Sequence, residues 1–277
     1  MLPWETVATD PMPEGDLVLA RRGDEWALRV GGRILMTSRS HGSEIALASL
    51  ALAKLDRRRS VMLGGLGLGF SLRALLDRLP VDAKVVLVEL SQAVVTWNRG
   101  PVSHLAGRPL DDPRVRLQVD DVAKRIKESK GVYDAILLDV DNGASPIVKA
   151  ANASLYSDRG IASCAAALAP GGVLAVWSAG PDELYLERLK RHGLEAEARR
   201  VKAHGPGSPH HVIFLARKPL AVPHRAGPPR REAQGAAGRE ARPPAVEAGP
   251  PPRALTRRVH SDVRTEGPNE GALCTPR

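Results

Sequence analysis

Val61-Met-Leu-Gly-Gly-Leu-Gly-Leu-Gly-Phe70, with Val85-Val-Leu-Val-Glu89 further on, decides the fold of this chain. An apolar run enters a glycine-rich turn, a helix-like stretch follows, and a second apolar run ends in an acid. The pattern is one strand–loop–helix–strand unit suited to holding a nucleoside. Glycines at 65, 67 and 69 let the backbone turn tightly and approach a ligand that any Cβ would obstruct. Glu89 lies about 20 residues past the last glycine. At that offset a carboxylate at the tip of the second strand can accept the ribose hydroxyls.

The loop reads G-x-G-x-G, not the dinucleotide G-x-G-x-x-G, and the chain has no G-x-x-x-x-G-K-[ST] phosphate loop. A G-x-G-x-G loop followed by an acid-tipped second strand resembles the S-adenosylmethionine-binding methyltransferase fold. On this segment alone, a nicotinamide-binding unit or a structural glycine turn remains an alternative.

Working outward, residues 16–36 alternate as short strands around turns at Gly23 and at Gly31-Gly32, a small β-hairpin or meander ahead of the core. Residues 43–55 carry apolar side chains at helical spacing, with Ser43 or Ser40 as N-cap. Strands are expected at 61–63, 84–90, 115–119, 133–140 and 173–178, with helices at 71–79, 92–99, 122–130, 157–168 and 183–192. Two last strands, 196–202 and 211–216, have no helix between them. The expected fold is therefore α/β and Rossmann-like, of the methyltransferase type. It has a mostly parallel seven-stranded sheet, a C-terminal antiparallel hairpin and a small N-terminal β-hairpin. Residues 1–40 form the N-terminal part and 41–218 the nucleoside-binding domain. Residues 219–277 are a Pro-, Gly-, Ala- and Arg-rich tail, expected to be disordered for want of large apolar residues.

The formal charge is +9, and ten arginines against six acids in the tail supply a net +4 of it. The tail has no aromatic residue to stack on bases, so nucleic acid is not the expected partner. Cys164 and Cys274 stand far apart and show no metal or disulfide spacing. His210-His211 lacks a third ligand nearby, and no metal is expected. The opening Met1-Leu-Pro-Trp-Glu has no apolar signal-peptide core, and no run approaches a membrane span. A cytoplasmic protein without membrane contact is the expectation, with a homodimer left open.

Ligands in such sheets bind beyond the carboxyl ends of the strands. The cofactor-binding candidates there are Gly65, Gly67, Gly69, Glu89, Asp120 and Asp121. Either aspartate is placed to take the adenine amine, or to cap the helix from Val122. Asp139 and Asp141, at the end of the fourth core strand, are the catalytic candidates. Two close carboxylates can hold a cationic amine, or one can take its proton as nitrogen attacks. Asp141-Asn142-Gly143 also reads as a turn. Substrate-binding candidates are His41 and Glu44, in a polar segment that closes over the site or stays solvated, with Asn142 and Tyr156. For Tyr156, core packing is the equal alternative.

From about Trp26 to Lys218 the chain resembles the spermidine synthase family of aminopropyltransferases, which share the methyltransferase fold. The matching stretches are Leu63–Arg73, Val86–Leu90, Asp112–Asp121, Tyr133–Asp139 and Leu155–Ser157. The resemblance implies Glu89 on the ribose, Asp121 on adenine and Asp139 holding or deprotonating the attacking amine. It departs where the family loop Gly-Gly-Gly-Asp-Gly-Gly places an Asp that holds the aminopropyl end of decarboxylated S-adenosylmethionine; Leu68 stands there. The family's Tyr-His-Glu is Gly42-Ser43-Glu44 here, and its Asp-Ser-x-Asp-Pro is Asp139-Val-Asp-Asn-Gly143. The resulting expectation is a transferase using S-adenosylmethionine or its decarboxylated form on a small-molecule acceptor such as an amine. Leu68 inclines it to methyl transfer. Aminopropyl transfer to a polyamine and a non-catalytic nucleoside-binding protein are the alternatives.

Overall fold

In the computed structural model, residues 2–13, 15–140, 154–204 and 208–220 are described. Asp141, Asn142 and the tail from 221 onward, Cys274 included, lie outside the described residues.

The central strands are apolar throughout because both faces of the sheet are covered. In β8 (Tyr133–Leu138) every residue is buried. Side chains alternate across the sheet. Leu63, Leu137 and Ala175 face one core cluster, while Met62, Ile136 and Leu174 face the other. Truncating such a residue, Leu137→Ala for example, costs about 2–5 kcal/mol.

The sheet runs β10-β11-β9-β8-β5-β6-β7. Its members are β5 (Ser60–Gly64), β6 (Lys84–Glu89), β7 (Val115–Val119), β8, β9 (Leu168–Ser178), β10 (Glu195–Lys202) and β11 (His210–Arg217). β5 to β9 are mutually parallel, and β11 enters antiparallel between β9 and β10. This is the expected sheet and C-terminal hairpin. The order reverses at β5, between β6 and β8, so the crevice opens at the ends of those three strands.

The helices are α1 (Gly42–Ala53), α2 (Phe70–Leu76), α3 (Gln92–Arg99), α4 (Val122–Lys127), α5 (Asp158–Ala167) and α6 (Glu183–Arg191). Side chains of Ser91, Asp121, Ser157 and Asp182 cap the last four. α1 departs from expectation. His41 occupies its cap position without a side-chain hydrogen bond, and Ser43 lies inside the helix. The helix start is held from outside instead, by Gly42 N–H donating to Ala203 O at 2.7 Å. A Cβ on Gly42 would stand 3.0 Å from that oxygen.

The N-terminal part is larger than a hairpin. Four antiparallel strands, β1 (Glu5–Asp10), β2 (Leu17–Arg22), β3 (Glu25–Val30) and β4 (Arg33–Thr37), form a meander. Sequence reading misses β1 because it is a mostly exposed edge strand with no apolar stripe. This small sheet packs Leu17, Leu19, Trp26, Leu28 and Val30 into the same cluster as α1 and α2. Among the described residues no helix is long and apolar enough to cross a membrane.

Candidate active site

The strand ends β5, β6 and β8 surround a cavity of about 500 Å³, closed on its far side by β1 to β4. Gly65 and Gly67 form its floor, with φ of 89° and 53°. Gly65 is required twice over: its φ disfavours any side chain, and a Cβ there would collide with the carbonyl oxygen of Asp139. The loop therefore presses against the tip of β8. Asn98, on α3, steadies it by donating to Gly67 O at 2.8 Å, a contact that no local pattern signals. Gly69 lies one step further back, as the left-handed residue that starts α2.

Glu89 closes one wall. Its Oε2 accepts from Leu66 N–H and its Oε1 from Ser91 N–H, both at 2.8 Å. Burial raises its pKa, and those backbone donors oppose the rise. The lone pairs that these backbone donors leave free can accept a ligand hydroxyl.

The two aspartates after β7 have separate tasks. Asp121 Oδ1 caps α4 by accepting from Ala123 N–H at 2.7 Å, leaving Oδ2. Asp120 Oδ1 accepts from Asp121 N–H at 2.8 Å, and its Oδ2 pairs with Arg125 and with Lys124. The backbone donor first, then Arg125, holds the Asp120 carboxyl below its usual range. Both residues line the cavity.

Asp139 and Glu44 form the acidic end. Asp139 Oδ2 accepts from Ser71 Oγ at 2.5 Å. Burial and then the charge of Glu44 push its pKa up to about 7, against the pull of Ser71. Glu44 is also raised by burial, opposed by Ser43 Oγ donating to its Oε2 at 2.6 Å. Glu44, buried, and Asp139, half-buried, repel each other and form a site that favours a cation. Position alone suggested Glu44; Ser43 and Ser71, each supporting one acid, carry no sequence signal beyond being serine.

Two substrate-binding candidates lie elsewhere. His41 stacks on Phe70 at 4.1 Å, its Nδ1 is 2.9 Å from Ser38 O, and it is not among the lining residues. Tyr156 is buried in the second core cluster, edge-on to Tyr185. That placement matches the core alternative. Trp177 lines the cavity, whereas Trp97 is core. Leu68 is fully buried in the core and is absent from the lining. Among the described residues no group of three or more His, Cys, Asp or Glu is placed to hold a metal.

The spermine/spermidine synthase domain model matches residues 41–193, the stretch that supplies every acid of the site except Asp10. The chain belongs to that family. The polyamine aminopropyltransferase of Mycobacterium tuberculosis (strain ATCC 25618 / H37Rv) is 31% identical over 169 residues, covering 60% of this chain and 31% of the relative. Putrescine N-methyltransferase 4 of Nicotiana tabacum is 34% identical over 129 residues, 46% of this chain and 32% of that one. The chain thus spans about a third of the length of these two relatives. The spermidine synthase from Thermotoga maritima superposes with a TM-score of 0.65 at 17% identity, over 78% of this chain and 73% of its own. That likeness establishes the family's fold, seven-stranded sheet, terminal hairpin and N-terminal sheet together.

Proposed function

We propose that the site transfers an aminopropyl group from decarboxylated S-adenosylmethionine to an amine acceptor. The observation that carries this reading is the charge of the cavity. Asp10, Glu44, Glu89, Asp120, Asp121 and Asp139 line it, and no described lining residue is Lys, Arg or His. S-adenosylmethionine brings an α-carboxylate for which this lining offers no cation. The decarboxylated form brings an ammonium and a sulfonium, which suit it.

Glu89 receives the ribose hydroxyls on its remaining lone pairs. Asp121 Oδ2 takes the adenine amine, since both oxygens of Asp120 are engaged. The sulfonium supplies an already activated carbon, so the protein's part is alignment and exclusion of water. Glu44 and Asp139 hold the acceptor ammonium; Asp139 takes a proton from it, and the freed nitrogen lone pair then forms the N–C bond to the activated carbon as the C–S bond breaks and the neutral thioether nucleoside leaves. A carboxyl with a pKa of about 7 is suited to that exchange near neutrality. Asp141 and Asn142 lie outside the described residues, and no role is derived for them.

Methyl transfer rested on Leu68. Leu68 faces the core and is not part of the cavity wall, so the donor's aminopropyl end is met by the carboxylates that do line it. The named relatives favour aminopropyl transfer, with the putrescine N-methyltransferase similarity keeping methyl transfer as the second reading. Calorimetry with both nucleosides, followed by mass analysis of putrescine products, tests the choice. The expected result is preference for the decarboxylated form and a product heavier by one aminopropyl group. Preference for S-adenosylmethionine with methylated product overturns it. Binding without turnover of any amine leaves the non-catalytic alternative.

A further inference from the structure

Glu44 is held from behind by a chain that the proposed chemistry does not use. Ser43 Oγ donates to Glu44 Oε2 at 2.6 Å, and His211 Nδ1 stands 3.0 Å from the same Oγ. A serine hydroxyl has one proton, and here it is directed to the carboxylate. Toward His211 the oxygen can only accept, so His211 must carry its proton on Nδ1.

The ring is fixed independently of that bond. It packs edge-on against Trp177 with centroids 4.6 Å apart, and Trp177 lines the cavity. β11 places His211 opposite Val201 of β10. Burial lowers the His211 pKa, which keeps the imidazole neutral near pH 7. The serine end is fixed too, because Gly42 docks the start of α1 on Ala203, just past the end of β10. Two distant segments thus meet at Ser43, and the chain ends on an acid facing the cavity.

We propose that His211 is a positioning residue for the acceptor amine: as an Nδ1–H donor it orients Ser43, which aims the Glu44 carboxylate at the cation held between Glu44 and Asp139. The inference rests on reading those two acids as the acceptor site. A purely structural histidine would need only the Trp177 contact, and substitutions separate the two.

His211→Phe keeps a ring against Trp177 and loses the donor. His211→Asn keeps an N–H donor close to the Nδ1 position. In the full chain, His211→Phe is expected to raise the putrescine KM about tenfold, the effect of weakening a hydrogen bond to a charged group. Calorimetric affinity for decarboxylated S-adenosylmethionine stays within about twofold, and His211→Asn restores the KM to within about threefold of the parent. An unchanged KM in His211→Phe, or an equal loss in His211→Asn, overturns the proposal.

A second readout needs no turnover. Imidazole ¹⁵N NMR of the ligand-free chain at pH 9, where the carboxylates are ionised, is expected to show the Nδ1–H tautomer for His211. Ser43→Ala should release that preference. An Nε2–H tautomer in the parent chain overturns the proposal whatever the kinetics show. Failure of the parent chain to bind either nucleoside overturns the transferase reading instead, so the two failures are distinguishable.

Discussion

Asp139 is the residue on which charge and chemistry converge. Its pKa is raised from the ordinary carboxylate value to about 7, so the folded chain holds this proton after the unfolded chain has lost it. Stability therefore falls as pH rises between about 4 and 7, and levels off above. Asp139→Asn is expected to raise the ligand-free melting free energy by on the order of 1–2 kcal/mol at pH 8 and to leave it unchanged near pH 4. The same substitution should abolish transfer. In the parent chain the acceptor KM should fall as pH rises from 6 to 8, because ionisation of the acid pair creates the cation site. Leu68 makes the opposite point. Restoring the family acid by Leu68→Asp would bury an unpaired charge at a fully buried core position. Thermal unfolding should show a loss of about 3 kcal/mol or more, and no gain in aminopropyl transfer. Glu89→Gln sets an amide nitrogen against the N–H of Leu66 or Ser91, and calorimetry should show nucleoside affinity at least about tenfold weaker.

At the scale of elements, the sheet was legible because short apolar runs alternate with helix-period stretches from Val61 onward. The glycine loop and the acids at the strand ends followed from it. β1 was not legible, since a mostly exposed edge strand reading Glu-Thr-Val-Ala-Thr-Asp carries no apolar stripe. Nor was the true start of α1, which is set by a backbone contact to Ala203, 161 residues away, rather than by a capping side chain. The site contacts that the sequence reading missed share this cause. Ser43, Ser71, Asn98 and His211 matter through partners 31 to 168 positions distant, and no local pattern encodes that. The residues alone left Asp120 and Asp121 unseparated and only the family resemblance pointed to Asp121; geometry shows which one spends both oxygens. An element-level test follows from Gly42. Gly42→Val must push α1 off Ala203 O, and it should weaken putrescine binding more than nucleoside binding in paired calorimetric titrations.

At the scale of the whole molecule, every described element ends by Arg217. Lys218 ties that end down. Its Nζ donates to Ala165 O and Leu168 O, both at 2.7 Å, and its backbone N–H donates to Gly172 O at 2.8 Å. We therefore expect a chain ended after Leu220 to match the full chain in melting temperature and nucleoside affinity. A drop of more than a few degrees would assign the remaining residues a part in the fold. The carboxylate lining also has a kinetic side. An empty cavity edged by six acids gathers sodium or other counter-ions from the medium, and each cationic reactant has to displace them on arrival. Encounter should accordingly be fast in dilute buffer and slow steeply as salt is added, so that the cell's ionic strength acts as a governor on how quickly this cavity fills.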